Sequence, residues 1–442
     1  MSTVTCEFRV KTLAARLSAA LVLAGMGAQA YAAVLPVTSC ADDNSAGTLR
    51  QVAASALNGD QIDLSALSCA GNTITLTQGE VAVPHNASIV GSALNVLTIA
   101  GSGSGRVLDS TSTDTPAAYL NLTNVNVSNG NVLTTDTDAV GGCIMAGGAL
   151  TLTNSTVSGC TASSSNASAR GGAVYAQTVT LNASKVQSSN AYTDGYYALA
   201  RGGAVYANNL SCSDSTLTNN GATGSGMWWF EQGGGAFVVG GDVNFLRCTV
   251  DSNLAGDGAG VMQMSFIGGS AQSVLLNSTF SGNTATGGSG GFELVCPDCT
   301  PQSLQILNST VAFNTSGVGH GALETPGSVA AQSSIMASNA NGGGKNADIS
   351  AVTIFGANNL VMSTNAGYGR NVVTYTNDPS LQPLASNGGK TRTHALPTTS
   401  PAYNHGNNTL GNNTDQRGSG YVRTLNGLTD MGAWQHQSTG RN

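Results

Sequence analysis

Asn154-Ser155-Thr156-Val157 decides the fold, because it keeps returning. It comes back as Ala183-Ser184-Lys185-Val186, Asp214-Ser215-Thr216-Leu217, Arg247-Cys248-Thr249-Val250, Asn277-Ser278-Thr279-Phe280 and Asn308-Ser309-Thr310-Val311. A weaker first copy is Asn124-Val125-Asn126-Val127 and a weaker last one Gln332-Ser333-Ser334-Ile335. With the second residue of each as anchor, the anchors stand at 125, 155, 184, 215, 248, 278, 309 and 333, at intervals of 30, 29, 31, 33, 30, 31 and 24 residues. A nearly fixed period with drifting loop lengths marks a solenoid.

Two residues after the anchor stand Val127, Val157, Val186, Leu217, Val250, Phe280, Val311 and Ile335; three before it stand Leu122, Leu152, Leu181, Cys212, Phe245, Leu275, Ile306 and Ala330. Both columns are apolar, so both face inward. They are five residues apart, however, and in one straight strand residues five apart face opposite sides. The chain must bend between them, at the small polar Asn-Ser. Short strands joined by bends in a rung of about thirty residues predict an all-β parallel β-helix, in which each coil pairs with the next at ~4.8 Å and none buries its apolar face alone. Five after the anchor, Asn220, Asn253, Asn283 and Asn314 form a further column. Asn tolerates left-handed backbone, and stacked Asn side chains bond along a ladder. The many Asn-x-Ser/Thr triplets are read as by-products of this turn chemistry rather than as glycosylation acceptors.

Composition agrees with exported, repetitive β-structure. Charged residues are only 9% and Gly numbers 58 of 442, a mixture that would suggest disorder were it not for the apolar columns. The net charge is −7 with no basic run, which excludes nucleic acid as an expected partner. Residues 1–33 read as a secretory signal: Arg9, Lys11 and Arg16, then the apolar Leu17 to Ala28, then Ala28-Gln29-Ala30 and Ala30-Tyr31-Ala32 as cleavage sites. The apolar run is too short to span a bilayer, and no later segment is a transmembrane candidate. Cleavage removes three cations and Glu7, taking the net charge to −9, and removes Cys6. The eight remaining Cys predict disulfides.

Thr48 to Leu57 is the one amphipathic helix, with Leu49, Val52, Ala53, Ala56 and Leu57 on one stripe. It is expected to cap the open N-terminal end of the solenoid. Strands are expected over 61–64, 73–76 and 97–100. Cys40 and Cys69 bracket the helix and are the first expected disulfide, and Cys143 with Cys160 the second. Within the coils Gly147-Gly148-Ala149, Gly171-Gly172-Ala173, Gly202-Gly203-Ala204 and Gly234-Gly235-Ala236 recur, as glycines that turn the chain into a strand. Loops 190–200 and 224–233 precede this element in successive coils. They carry Tyr192, Tyr196, Tyr197, Trp228, Trp229 and Phe230, six of the 23 aromatic residues, beside Arg170, Arg201 and Glu231. Side by side, they would form a sugar-binding patch, because aromatic faces stack on sugar faces and Arg forks pair with carboxylates. The plainer reading is an exposed loop that tolerates Tyr and Trp.

The last hundred residues carry motifs of their own. Pro383-Leu384-Ala385-Ser386-Asn387-Gly388-Gly389-Lys390-Thr391-Arg392-Thr393-His394-Ala395-Leu396 is followed by Ser400-Pro401-Ala402, Asp415-Gln416-Arg417-Gly418 and Asp430-Met431-Gly432-Ala433-Trp434. This set resembles the C-terminal module of the bacterial "choice-of-anchor Q" proteins. Cys40-Ala41-Asp42, Gly47-Thr48-Leu49-Arg50 and Gly59-Asp60-Gln61-Ile62-Asp63-Leu64-Ser65 resemble their opening segment. The resemblance implies a secreted right-handed parallel β-helix with an irregular C-terminal cap, a surface anchor and no assigned biochemical role. The chain departs from the pattern at Asn404-His405-Gly406, where the family has Asp-x-Gly, and at Trp434-Gln435, where it has Phe-Glu. It ends at Asn442, eight residues past Trp434, with no sorting tail or barrel. The expected organisation is a signal peptide at 1–33, an N-terminal cap and first coils at 34–116, coils at 117–375 and the cap module at 376–442.

Catalytic signals are weak. Gly319-His320-Gly321 matches a polygalacturonase motif, but the only adjacent Asp pair is Asp42-Asp43 in the N-terminal cap, no Arg-x-Lys follows, and the triplet stands where other coils carry Gly-Gly-Ala. A lyase would need a base and commonly clustered carboxylates for Ca²⁺; Asp251 and Asp257 lack a Ca²⁺-loop pattern. Cys296-Pro297-Asp298-Cys299 has redox spacing without a βαβ setting, so a local disulfide is expected. No catalytic residue, metal site or cofactor is assigned. Two functions stay open: a non-catalytic surface or secreted scaffold that binds carbohydrate, and a polysaccharide lyase, epimerase or hydrolase on the same fold.

Overall fold

A single coil shows how the repeat folds. Ala149–Thr153 is followed by a bend, Thr156–Ser158, a second bend, Thr161–Ser164, Ala169–Arg170, a glycine turn and Val174–Tyr175; Thr178–Asn182 then begins the next coil. These five strands lie on five parallel sheets, called faces 1 to 5 in that order. The computed structural model describes residues 32–442 except 112–113, 115–117, 226–230, 266–271, 297–303, 318–320, 344–346, 369–373 and 438–442. Among the described residues the faces hold 13, 12, 8, 4 and 10 strands. The chain is a right-handed parallel β-helix, the hand that right-twisted strands favour in parallel crossovers. Val34–Asn442 form one compact unit.

The two apolar columns are the inner sides of faces 1 and 2. Leu122, Leu152, Leu181, Cys212, Phe245, Leu275, Ile306 and Ala331 stack in register on face 1. Val127, Val157, Val186, Leu217, Val250, Phe280, Val311 and Met336 do so on face 2. All are buried in one continuous core. The last copy of the repeat is displaced by one residue from the sequence alignment. Ser334, not Ser333, is its anchor, so Ala331 and Met336 face inward in place of Ala330 and Ile335. Two adjacent serines left the alignment ambiguous.

The bend between the columns lies at the residue before each anchor. Asn124, Asn154, Ala183, Asp214, Arg247, Asn277, Asn308 and Ser333 all have left-handed backbone, with φ between 46° and 56°. The anchor serines then tie coil to coil. Ser184 Oγ accepts from Ser155 N at 3.1 Å, Ser215 Oγ from Ser184 N at 2.9 Å and Ser309 Oγ from Ser278 N at 3.1 Å.

The Asn column is a ladder, with one correction. The left-handed residue is the one before it: Asn129, Gly159, Ser188, Asn219, Ser252, Gly282, Phe313 and Ser338. The ladder residues point inward at the corner, and each Nδ2 donates to the next Oδ1, from Asn220 to Asn253 (3.0 Å), Asn283 (2.9 Å) and Asn314 (2.8 Å). The ladder runs on to Asn339 and ends on Asp348. Each Oδ1 also takes the backbone N–H of the coil before it. Asn283→Ala would leave the backbone N–H of Asn253 without its acceptor and would remove the Nδ2 bonds from Asn253 to residue 283 and from residue 283 to Asn314 and Val250 O. It is expected to cost about 2 kcal/mol in chemical denaturation; a loss under 0.5 kcal/mol would mean that water replaces the ladder.

The glycine element also needs re-registering. Gly141, Gly171, Gly202, Gly233 and Gly258 share the turn into face 5, with φ between 57° and 70°. A Cβ on Gly171 or Gly202 would sit 2.1 or 2.2 Å from the carbonyl oxygen three residues on, so only glycine fits. Gly141-Gly142-Cys143 therefore corresponds to Gly171-Gly172-Ala173, and Gly233-Gly234-Gly235 to Gly202-Gly203-Ala204.

At the N-terminus a short helix, α1 (Leu49–Ser55), is capped by the Thr48 side chain and buries Leu49, Val52 and Ala53. It stops two residues short of the expected end, and Leu57 is exposed. Asp42, half of the adjacent Asp pair, is structural. Burial works against its charge, but Arg50 and the amides of Gln78 and Thr77 hold it below the usual carboxylate range. Cys40–Cys69 and Cys143–Cys160 are disulfides, as expected. A third, Cys212–Cys248, was not read from sequence, although Cys212 interrupts the inward column of face 1 and Cys248 the serine column of the anchors, in neighbouring coils. Cys296 is disulfide-bonded as well, while its expected partner Cys299 lies outside the described residues.

The irregular C-terminal segment covers the outer side of face 2 over several coils, as well as packing on Tyr375 near the coil end. Thr249 Oγ1 donates to Arg392 O (2.7 Å), Thr279 Oγ1 to Gln416 Oε1 (2.6 Å), and Ala433 N to Thr310 Oγ1 (3.0 Å). Further along, Ile335, Ala337 and Leu360 form a second core with Leu396, Ala402 and Met431.

Candidate functional site

The expected aromatic loops are only partly loops. Tyr192 lies in a face 3 strand, Asn190–Thr193, and its hydroxyl donates to Asp194 at 2.5 Å. That hydrogen bond raises the phenol above its usual pKa. Tyr196 and Tyr197 sit on the connection from face 3 to face 4, 59% and 78% exposed, edge to face with ring centroids 4.7 Å apart. Trp228, Trp229 and Phe230 lie outside the described residues.

Arg170 and Arg201 are paired neighbours on face 4, as their common place in the repeat implied. They turn toward a feature the sequence reading missed. On the outer side of face 5, Tyr175, Tyr206 and Phe237 stack at 5.2 and 5.6 Å, with ring planes within 17° of parallel. Arg170 lies over Tyr206 (5.9 Å) and Arg201 over Phe237 (4.7 Å). Arg170 is also paired with Asp138 at 2.9 Å, and Arg201 Nε donates to Gln232 at 2.7 Å. The signal was present: each ring follows the glycine turn at a constant offset. Rings stacked along the helix axis spend their faces on each other, and Phe237 is fully buried, so only the two half-buried tyrosines offer solvent edges and hydroxyls. It stiffens the scaffold more than it forms a stacking platform.

Glu231 does not extend the Arg column. It pairs with Ala200, and Gln232 stands opposite Arg201. Glu231 thus takes an inward position that Ala139, Ala169 and Ala200 hold in earlier coils. Burial, helped by Asp257, pushes its carboxyl up to about 7. On face 5 the aromatic row continues through Met262 into Glu293 and Glu324. Glu293 is buried and accepts from Ser289 N at 3.1 Å. Burial, with Asp257 and Glu324 nearby, raises it to about 8. The Asp257 and Glu293 carboxylates approach the same point, 2.6 and 2.7 Å from where a Cβ on Gly288 would stand. Glu231, Asp257, Glu293 and Glu324 therefore make one acidic row, scattered over almost a hundred residues of sequence.

Asp251 and Asp257, close in sequence, go to different faces: Asp251 is buried under the C-terminal segment, bonded to Thr218 and Arg392. By register Gly321 and Ala322 align with Gly172 and Ala173, the last two residues of the glycine element, while Gly319 and His320 lie outside the described residues. Among the described residues no group of three or more His, Cys, Asp or Glu is placed to hold a metal ion, and no helix is long and apolar enough to cross a membrane. No family model, curated protein or solved structure matches the chain.

Proposed function

We propose that this chain is an exported, choice-of-anchor Q-like β-helix that binds carbohydrate without catalysis, along the corner of faces 3, 4 and 5. The observation that carries the reading is the Tyr196–Tyr197 pair. Two aromatic rings left largely in water on the connection from face 3 to face 4 are costly to keep without a ligand, and they offer ring faces for sugars. The disulfides are compatible with an oxidising, extracytoplasmic setting. Tyr196→Ala with Tyr197→Ala is expected to weaken binding to glycans that the wild type selects on an array by about tenfold or more. Melting and circular dichroism should be nearly unchanged, since both rings lie outside the core. A folded double variant that binds the same glycans equally well would refute the reading.

One observation favours a second reading, a polysaccharide-active enzyme. Burial pushes Glu231 to about 7 and Glu293 to about 8, and acid–base cleavage of a glycosidic bond needs a carboxyl that keeps its proton near neutral pH to serve as the acid. Assays for reducing ends and unsaturated products on array-selected glycans decide it. Turnover lost in both Glu231→Gln and Glu293→Gln would establish the enzyme, and no turnover by the wild type would dismiss it.

A further inference from the structure

The outer column of face 2 reads Thr156, Lys185, Thr216, Thr249, Thr279 and Thr310, a run of threonines broken once by a lysine. The break falls where the C-terminal segment stops covering the face. Thr249, Thr279 and Thr310 are buried beneath it, and Thr156, Lys185 and Thr216 are not. At that edge lies a cleft of about 340 Å³, lined by Asn154, Ser184, Thr156, Thr216, Asp214 and the two lysines Lys185 and Lys390. Lys390 comes from the C-terminal segment, on a turn that Thr391 pins by donating to Arg247 O at 3.0 Å.

The chain has four lysines, and the two among the described residues both reach this cleft. The chain is acidic, yet among the described residues neither ammonium has an ion-pair or hydrogen-bond partner. The one carboxylate in the lining, Asp214, is held by Arg247 through Nε and Nη2, each at 2.7 Å. Bringing two uncompensated like charges to one cleft costs energy that a bound anion would offset. Hydroxyl and amide groups around them supply neutral donors, and the volume falls within the range of small-ligand sites.

We propose that this cleft binds an oxyanion, a carboxylate or phosphate group, between Lys185 and Lys390. The proposal does not rest on the carbohydrate reading, because the cleft lies on face 2 and inorganic phosphate is itself a sufficient probe. The test is calorimetric titration of the full chain at low salt with digalacturonate and, separately, inorganic phosphate. Saturable binding of either probe supports the site, and the preferred probe identifies the group. Lys185→Ala or Lys390→Ala should each weaken binding by about tenfold, while Lys185→Arg with Lys390→Arg should retain it. Affinity should fall as salt rises. No saturable binding of either probe, or equal binding by a folded Lys185→Ala/Lys390→Ala double variant, would overturn the proposal.

Discussion

Replacing Asp415 by Ala is expected to unseat the C-terminal segment from the coils. Arg417 donates to Asp415 through Nη2 at 2.5 Å and through Nε at 3.0 Å, and both side chains are almost wholly buried. The guanidinium also lies over two rings, 4.0 Å from the Tyr421 centroid and 4.8 Å from that of Trp434. Asp415 Oδ2 takes the backbone N–H of Gln435 as well. Removing the carboxylate leaves a buried cation unpaired, which typically costs about 3–5 kcal/mol. The segment covers Ile335 and Leu360 and the hydroxyls of Thr249, Thr279 and Thr310, so its release would expose a long parallel sheet. Ending the chain near residue 375 should do the same more completely, giving aggregation through apolar surface and exposed strands. Denaturant melts of Asp415→Ala and light scattering of the truncation are the measurements. A loss below 1 kcal/mol, or a soluble truncation with unchanged melting, would show that the segment is a passenger.

Glu293→Gln is expected to stabilise the protein at alkaline pH and to leave it unchanged in acid. The folded-state pKa, about 8, lies above the ordinary 4.5. Below pH 4.5 both folded and unfolded chains carry the proton, and no penalty arises. Between 4.5 and 8 the unfolded chain releases a proton that the folded chain retains, so wild-type stability falls as pH rises; above 8 the loss is complete. The neutral amide has no proton to lose and escapes this penalty. The stability difference between variant and wild type should therefore grow by about 3–5 kcal/mol from pH 4.5 to pH 9. Parallel stability curves for the two proteins would mean that Glu293 is not held protonated by its surroundings.

The sequence by itself determined the coil. Its period, its two inward columns and the bend between them are local properties. The strand–bend–strand unit at Asn154 uses only its own residues, and repetition then stacks like on like. Two disulfides were legible for a related reason: Cys40 and Cys69 bracket the helix, and Cys143 and Cys160 are only 17 residues apart. What the tertiary structure decided is everything that depends on register between coils or on segments far apart in sequence. A one-residue slip moves a side chain to the other side of its sheet. That is why Ser333 and Ser334, or the two glycine alignments, had to be settled by pairing. The stack of Tyr175, Tyr206 and Phe237 and the acidic row from Glu231 to Glu324 appear only when coils are superposed. The cleft of Lys185 and Lys390 joins residues 205 positions apart, across a surface that the C-terminal segment creates by folding back. Local spacing carries backbone geometry, whereas charge and ring contacts between coils arise from stacking, which no single repeat contains.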